Sequence, residues 1–386
     1  MMKNKTFKKI AIVGGGQLGM MLHQAAHPLG VEVAVLDARG TSAHQVGALL
    51  VEGRINNSDD VLKLAATFGK NAPITIEVEH VAIDALQKLK DEGFVVHPNP
   101  ETLQIIIDKY SQKKYLRTHK IPVADFEEIK DANTVKKLLA IWKDGLILKT
   151  KKGGFDGRGN LVLKNEKDLK LLKAQEMLLA GNLYAEKLYP FRKELAVILA
   201  RDVFGNVVSY PVFETIHTDN ICNMVIAPAR ISDKVKKKAE EVGRLTLDVL
   251  EGVGVFTVEM FLGSNDEVLV NEIAPRVHNS GHLTIEANKT SQFSNHIKAV
   301  TGQKLGDVDM VAPYAVMINI LRGVGVNKPS IEEFSSRSFI HWYGKEGRMP
   351  PLDPRKIGHV TGLGDSFEQA LQAAQEAHKK AMENTL

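Results

Sequence analysis

A doubly wound α/β N-terminal unit, an α+β central unit bearing a lid, and a small β-rich C-terminal unit form the architecture that the sequence predicts. Three observations predict it. Lys8–Val13 and Val31–Asp37 are short apolar runs separated by a glycine turn and a helical stretch, which is the pattern of a βαβ unit. Strand-like and helix-like segments then alternate over a smaller stretch that ends near Leu188. From Glu194 to Glu272 the apolar runs read as antiparallel strands, interrupted by one helix at about Asp233 to Leu250. A chain of 386 residues is too long for one compact core, and the boundaries fall at 1–105, 106–305 with a lid at about 120–190, and 306–386.

Composition removes several classes of function. The hydrophobic share is 44%, and no run approaches the roughly 18 apolar residues of a membrane helix, so no membrane role is expected. Met1 to Lys9 is basic, but glycine soon follows and no small-residue cleavage site is present, so no export signal is read. A single cysteine, Cys222, excludes a disulfide framework or a cysteine-based zinc site and fits a reducing, cytoplasmic compartment. A net charge of +4 from 50 basic and 46 acidic residues does not suggest a nucleic-acid partner. The basic run Lys234–Lys238 passes into Ala239-Glu240-Glu241 and reads as the wet face of a helix.

The N-terminal unit is Rossmann-like. Gly14, Gly16 and Gly19 have the G-x-G-x-x-G spacing, and Asp37 ends the next strand where an acid would meet a ribose. Such a turn lets a backbone approach a phosphate at a helix N-terminus, or serves only tight strand-to-helix packing. A third strand is expected at Ile74–Val78, leading into Glu79-His80, and a fourth at Phe94–Val96 before His97-Pro98-Asn99-Pro100. A helix follows from about Glu101 to His119. Strands after Ala312 and a helix from Ser366 to about Asn384 close the chain.

Two segments carry chemistry in the central unit. The strand Leu146–Lys149 runs into a loop, Gly153-Gly154-Phe155-Asp156-Gly157-Arg158-Gly159-Asn160, whose glycines lie among lysines and an arginine. Such a loop can fold over a polyphosphate with backbone N–H donors, and it lacks the Gly-Lys-Ser/Thr ending of a Walker loop. Leu183–Tyr189 then reads as a hinge strand, with Glu186 to Tyr189 and Glu194 suited to a base and ribose hydroxyls. Further on, Gly263-Ser264-Asn265-Asp266 is turn chemistry between the strands Val253–Phe261 and Glu267–Glu272. Folding about that turn brings Glu259 to within a register step of Asn271 and Glu272. Two carboxylates and an amide oxygen converging there suit Mg2+ with ATP rather than zinc.

The order of basic glycine loop, Glu186 strand, Glu259 strand and Asn271-Glu272 resembles the ATP-grasp superfamily. In detail, Gly153–Gly159, Glu186-Lys187-Leu188-Tyr189-Pro190-Phe191, the run Asn271–His282 and Thr290-Ser291-Gln292-Phe293 are similar to the 5-(carboxyamino)imidazole ribonucleotide synthases of purine biosynthesis. The resemblance covers essentially the whole chain, including Gly14–Gly19. It implies a central ATP-grasp domain and formation of carboxyphosphate from bicarbonate and ATP. Carboxylation of the 5-amine of aminoimidazole ribonucleotide would follow, giving ADP and phosphate.

That resemblance places ATP at Lys109, Lys149, Gly154, Phe155, Asp156, Gly157, Arg158, Gly159, Asn160, Glu186, Lys187, Leu188, Tyr189, Glu194, His217, Asn271 and Glu272. It places Mg2+ at Glu259 and Glu272. The ribonucleotide falls at Glu77, His80, Asp156, Arg276, Lys345, Arg355 and Lys356, with Asp156, Arg276 and Lys356 catalytic. Lys109 stands where the family more often has arginine, and Val277 where it usually has a second proline. Glu77-Val78-Glu79-His80 is closer to the fungal fused enzyme. The resemblance further implies a homodimer, and a chain ending at Leu386 is expected to pass its product to a separate mutase. The rival readings are a formate-dependent glycinamide ribonucleotide transformylase, a nicotinamide dehydrogenase using Gly14–Gly19, and a non-catalytic nucleotide-binding regulator.

Overall fold

The computed structural model describes residues 6–153, 159–321, 328–345 and 356–383. The first sheet is built from β1 (Lys9–Val13), β2 (Glu32–Asp37), β3 (Leu49–Glu52) and β4 (Ile74–Ile76), all parallel in the order β3-β2-β1-β4. Helices α1 (Gln17–Ala26), α2 (Ser42–Gln45), α3 (Ser58–Phe68) and α4 (Ile83–Asp91) connect and cover these strands. The fourth strand expected at Phe94–Val96 is reduced to a bridge between Val96 and Ile74. Ile74 N–H donates to Val95 and His97 N–H to Ile74, and then Pro98, with no N–H, ends the ladder.

The expected helix from Glu101 to His119 is two helices, α5 (Pro100–Ile107) and α6 (Lys109–Thr118). Asp108 breaks it, with extended backbone (φ −92, ψ 103) and a side chain that accepts the N–H of Ser111 as an N-cap. The break puts Lys109 on the first turn of α6.

The lid is an antiparallel sheet of β5 (Phe126–Ile129), β6 (Leu146–Thr150), β7 (Asn160–Leu163) and β8 (Leu183–Lys187) in the order β5-β8-β6-β7. Helix α7 (Ala132–Ile141) and α8 (Leu172–Ala180) bury Val135, Leu139, Ala174 and Met177 against it.

The large sheet comprises β9 (Phe191–Arg201), β10 (Val207–Ser209), β11 (Phe213–Thr218), β12 (Ile221–Ala227), β13 (Gly254–Gly263) and β14 (Val268–Ala274). The central run Leu195–Ala200 is buried on both faces, as its unbroken apolar sequence requires. Leu195, Val197 and Leu199 meet α9 (Asp233–Leu250), while Ala196, Ile198 and Ala200 face the opposite core with α1. Gly243 permits the close approach of α9, because a Cβ there would lie 2.9 Å from Val197. Helices α10 (Thr284–Ala287) and α11 (Gln292–Thr301) cover the other face.

The C-terminal strands do not stand apart. Strand β15 (Tyr314–Leu321) pairs with β12 and continues the same sheet through β18 (Lys356–Gly364), β17 (Ser338–Tyr343) and β16 (Pro329–Ser335). Helix α12 (Phe367–Glu383) packs on these strands through Ala370, Ala374, Ala377 and Ala381. The first unit is also tied in, since Ser42 Oγ donates to the Tyr343 carbonyl at 2.5 Å.

A buried imidazole joins the first sheet to the large one. Val255 N–H donates to His296 Nδ1 at 3.1 Å, so Nε2 carries the proton and donates to Thr75 Oγ1 at 2.9 Å. Burial, and secondarily His97, lowers this imidazole to about 3. Below its ordinary value of about 6.5 the unfolded chain takes up a proton that the native state refuses. Stability is therefore complete above that value and lost on acidification, by about 1.4 kcal/mol per pH unit for this group. Urea unfolding between pH 6.5 and 5 is expected to fall less steeply for His296→Gln than for the wild type, by about 1 kcal/mol per unit. Equal slopes would remove His296 as the cause.

Candidate active site

The acidic hairpin supplies the floor of the site. Glu259 on β13 lies directly opposite Glu272 on β14, and the register then shifts so that Met260 pairs with Val270. Asn271 is thus the extra residue of a β-bulge. Consecutive strand residues point to opposite faces, but the bulge turns Asn271 and Glu272 into the same cleft, beside Glu259. Burial raises the Glu259 carboxyl to about 7, and the charge of Glu272 adds to the effect. A bound cation would relieve that repulsion. The donors are hard oxygens, two carboxylates and an amide, a set that fits magnesium, which keeps waters or phosphate oxygens in its remaining positions.

The cleft above this floor has a volume of about 510 Å³. A larger hollow of about 750 Å³ beside α1, β2 and β3 shares no lining residue with it and holds no facing carboxylates on a hairpin. Of the residues expected at the site, Lys109, Lys149, Asn160, Glu194, His217, Glu259, Asn271, Glu272, Arg276 and Lys356 all line the smaller cleft. Lys109 reaches Glu272 at 3.0 Å from the first turn of α6. Glu194 lies 2.7 Å from His217 Nδ1. Burial alone would lower His217, but the hydrogen bond and charge of Glu194 outweigh it and raise the imidazole.

The hinge departs from expectation. Glu186 is 2% exposed and turns inward, holding Lys149 at 3.1 Å and Lys113 at 3.5 Å, so its carboxylate is not offered to ribose hydroxyls. The N–H groups of Lys187 and Leu188 are occupied by the carbonyls of Asp125 and Gly145. Tyr189 points its hydroxyl at Glu267 (3.1 Å) and its ring at Phe261, outside the cleft. The apolar wall is instead Ile147, Phe191 and Phe261, the last two stacked at 4.5 Å. None of the three was legible as such, because an apolar residue in a strand reads as core. Gly159, in the left-handed region (φ +82), accepts from Thr150 N–H at the base of the loop.

The cleft lining also carries the cations Arg276 and Lys356. Arg276 pairs with Glu79 at 2.9 Å and donates to the Val277 carbonyl at 2.9 Å. Glu79, rather than Glu77 or His80, faces this space. Strand β4 ends at Ile76, so the alternation of a strand could not say which acid turns inward. His80 is exposed. Glu77 is 8% exposed and caps α1, accepting the N–H of Gly16 and of Gly19. That carboxylate occupies the place a pyrophosphate would take, while Asp37 accepts Gly15 N–H at 2.8 Å. Gly14 (φ +112) allows the approach, since a Cβ there would lie 2.3 Å from Glu77. The glycine turn thus binds the protein's own carboxylate, which contradicts the dinucleotide reading.

Lys345 also lies behind the cleft, donating to the carbonyl of Lys356 at 2.8 Å. His278 and Asn279 do line it, although no role was assigned to them from sequence. Ser280 N–H donates to His278 Nδ1 at 3.3 Å, which leaves the proton on Nε2, 3.6 Å from Glu259. Asn279 is held in a reciprocal amide pair by Asn319 of β15 (2.9 and 2.7 Å). Gly154, Phe155, Asp156, Gly157, Arg158 and Arg355 lie outside the described residues.

A lid sheet over a large antiparallel sheet, with a lysine on the lid strand and facing acids on the floor hairpin, defines an ATP-grasp enzyme. Family models agree along the chain: the ribonucleotide synthetase preATP-grasp domain matches residues 7–107, the ATP-grasp domain 114–293 and the phosphoribosylaminoimidazole carboxylase C-terminal domain 315–373. The chain is 34% identical over 364 residues to the N5-carboxyaminoimidazole ribonucleotide synthase of Bacillus subtilis, covering 94% of this chain and 93% of that one. It is 40% identical over 379 residues to phosphoribosylaminoimidazole carboxylase of Candida albicans, covering 94% of this chain but spanning only 65% of that relative's length. The crystal structure of the Aspergillus clavatus N5-carboxyaminoimidazole synthase in complex with ADP and 5-aminoimidazole ribonucleotide superimposes with a TM-score of 0.85 at 32% identity, covering 98% and 99% of the two chains. That of the Thermotoga maritima synthetase gives 0.83 at 38%, covering 97% and 98%. The chain belongs to the N5-carboxyaminoimidazole ribonucleotide synthase family.

Proposed function

We propose that this chain carboxylates 5-aminoimidazole ribonucleotide with ATP and bicarbonate, giving N5-carboxyaminoimidazole ribonucleotide, ADP and phosphate. The observation that carries this reading is a single cleft whose lining brings together the facing acids Glu259 and Glu272 with the cations Lys109, Lys149, Arg276 and Lys356. A bicarbonate oxygen bonds to the γ-phosphorus as the bond to the bridging oxygen breaks and ADP leaves. The 5-amine then attacks the carboxyl carbon of carboxyphosphate, phosphate departs with the C–O electron pair, and the amine loses a proton.

Lys109 and Lys149 neutralise polyphosphate charge in this scheme, and Glu259 with Glu272 would hold Mg2+, with Asn271 beside them. Magnesium, when bound, screens the phosphate oxygens against one another. Glu194 and His217 orient the nucleotide, and Ile147, Phe191 and Phe261 give its base an apolar wall. Arg276 and Lys356 hold the ribonucleotide, with Glu79 fixing the guanidinium. Asp156, assigned from the family resemblance, is the third group in this scheme. Carboxyphosphate decomposes in water, so a lid that closes over the site is a requirement of the chemistry. A homodimer in the cytoplasm whose product goes on to a mutase belongs to the same reading.

Steady-state phosphate release tests it. Release is expected to require bicarbonate and aminoimidazole ribonucleotide together. Release that instead requires formate and glycinamide ribonucleotide would establish the transformylase reading.

A further inference from the structure

Helix α6 carries a lysine that never reaches the cleft. Lys113 is 1% exposed, and its ammonium donates to the Val270 carbonyl at 3.0 Å. It also lies 3.5 Å from Glu186 Oε1, while Glu186 Oε2 holds Lys149 at 3.1 Å. Tyr184 completes the set, its hydroxyl donating to Glu186 Oε1 at 2.9 Å. Burial alone would raise the Glu186 carboxyl, but the two lysines and this hydroxyl hold it at about 2.

The positions of these groups give the set a purpose beyond packing. A buried ion pair contributes little net stability compared with apolar residues of the same volume. Here, though, one end is Lys149, which lines the cleft from the lid, and the other is the carbonyl of Val270, the residue before Asn271-Glu272. Lys113 therefore spans the two walls between which a nucleotide polyphosphate would lie.

We propose that Lys113 is a positioning residue for the nucleotide: through Glu186 and the Val270 carbonyl it fixes the distance between Lys149 and the Glu259–Glu272 floor. The inference rests on the ATP reading of the cleft. Loss of the ammonium frees Glu186 to pull Lys149 inward and leaves the bulge carbonyl without its donor. The cation and the acids then lose their shared register.

Isothermal titration of the intact chain with ADP and Mg2+, together with the KM for ATP, tests this. Lys113→Met is expected to weaken ADP and raise the KM for ATP by about tenfold or more, with Tyr184→Phe moving both the same way by about threefold. Lys114→Met, an exposed neighbour, is expected to stay within about twofold of the wild type. Because Lys113 and Lys149 act through one carboxylate, their methionine variants combined are expected to lose less than the product of the single losses. A merely structural role would lower the thermal midpoint and leave the KM of the folded protein unmoved, which overturns the inference. Losses that multiply overturn it as well. Should Lys113→Met fail to fold, Tyr184→Phe decides, and unchanged ADP affinity in that variant overturns it. Wild-type protein that binds no ADP overturns the ATP reading itself, a distinct outcome from equal binding by wild type and Lys113→Met.

Discussion

Glu272→Gln is expected to lower turnover by about a hundredfold or more while leaving the chain folded. Glu272 faces Glu259 across the hairpin and reaches Lys109 at 3.0 Å, and its side chain is 41% exposed. The neutral amide keeps the volume and the hydrogen-bonding reach, so the thermal midpoint is expected to move by no more than about 2 °C. What it removes is one of two negative charges that would face magnesium and the phosphates. With that charge gone, Glu259 loses the neighbour that adds to its raised value and falls back towards the ordinary carboxylate range. Phosphate release at saturating magnesium and substrates is the measurement. Wild-type turnover in the variant would remove the hairpin from the chemistry.

Arg276→Met is expected to lower kcat/KM for aminoimidazole ribonucleotide by about 10²- to 10³-fold and to leave the KM for ATP within about threefold. The guanidinium is 18% exposed, joined to Glu79 at 2.9 Å and to the Val277 carbonyl at 2.9 Å. Methionine fills the same space but leaves Glu79 facing the cleft without its cation, so an anionic substrate meets repulsion where it had attraction. Arg276→Lys restores the charge without the planar fork and is expected to recover only part of the loss. Initial rates with each substrate varied in turn separate the cases. An unchanged dependence on the ribonucleotide with a raised KM for ATP would move Arg276 to the phosphate end of the cleft.

Much of this site was legible because its parts are local in sequence. Turn residues Gly263–Asp266 pair β13 with β14 whatever the rest of the chain does, so Glu259 and Glu272 had to come close. The apolar runs from Glu194 to Glu272 read as antiparallel strands for the same reason. The pairing of Glu186 with Lys113 was not legible, because the sequence neighbours of Glu186 give no sign of a lysine that comes from helix α6, 73 positions earlier. Glu79 was passed over in favour of Glu77 and His80, since the end of β4 at Ile76 destroys the parity that strand residues otherwise obey.

By itself the sequence determined the order of the units, the basic loop beside Lys149 and the acids of the hairpin, because propensity, turn chemistry and periodicity act over a few residues. Tertiary structure alone decided the rest. It placed the bulge that turns Asn271 and Glu272 to one side, and it gave the glycine turn to Glu77 rather than to a dinucleotide. It also merged the C-terminal strands with the central sheet through β12 and β15. Each of these depends on which distant carboxylate, carbonyl or strand edge reaches an unpaired donor first, and that competition is settled only when the whole chain is packed.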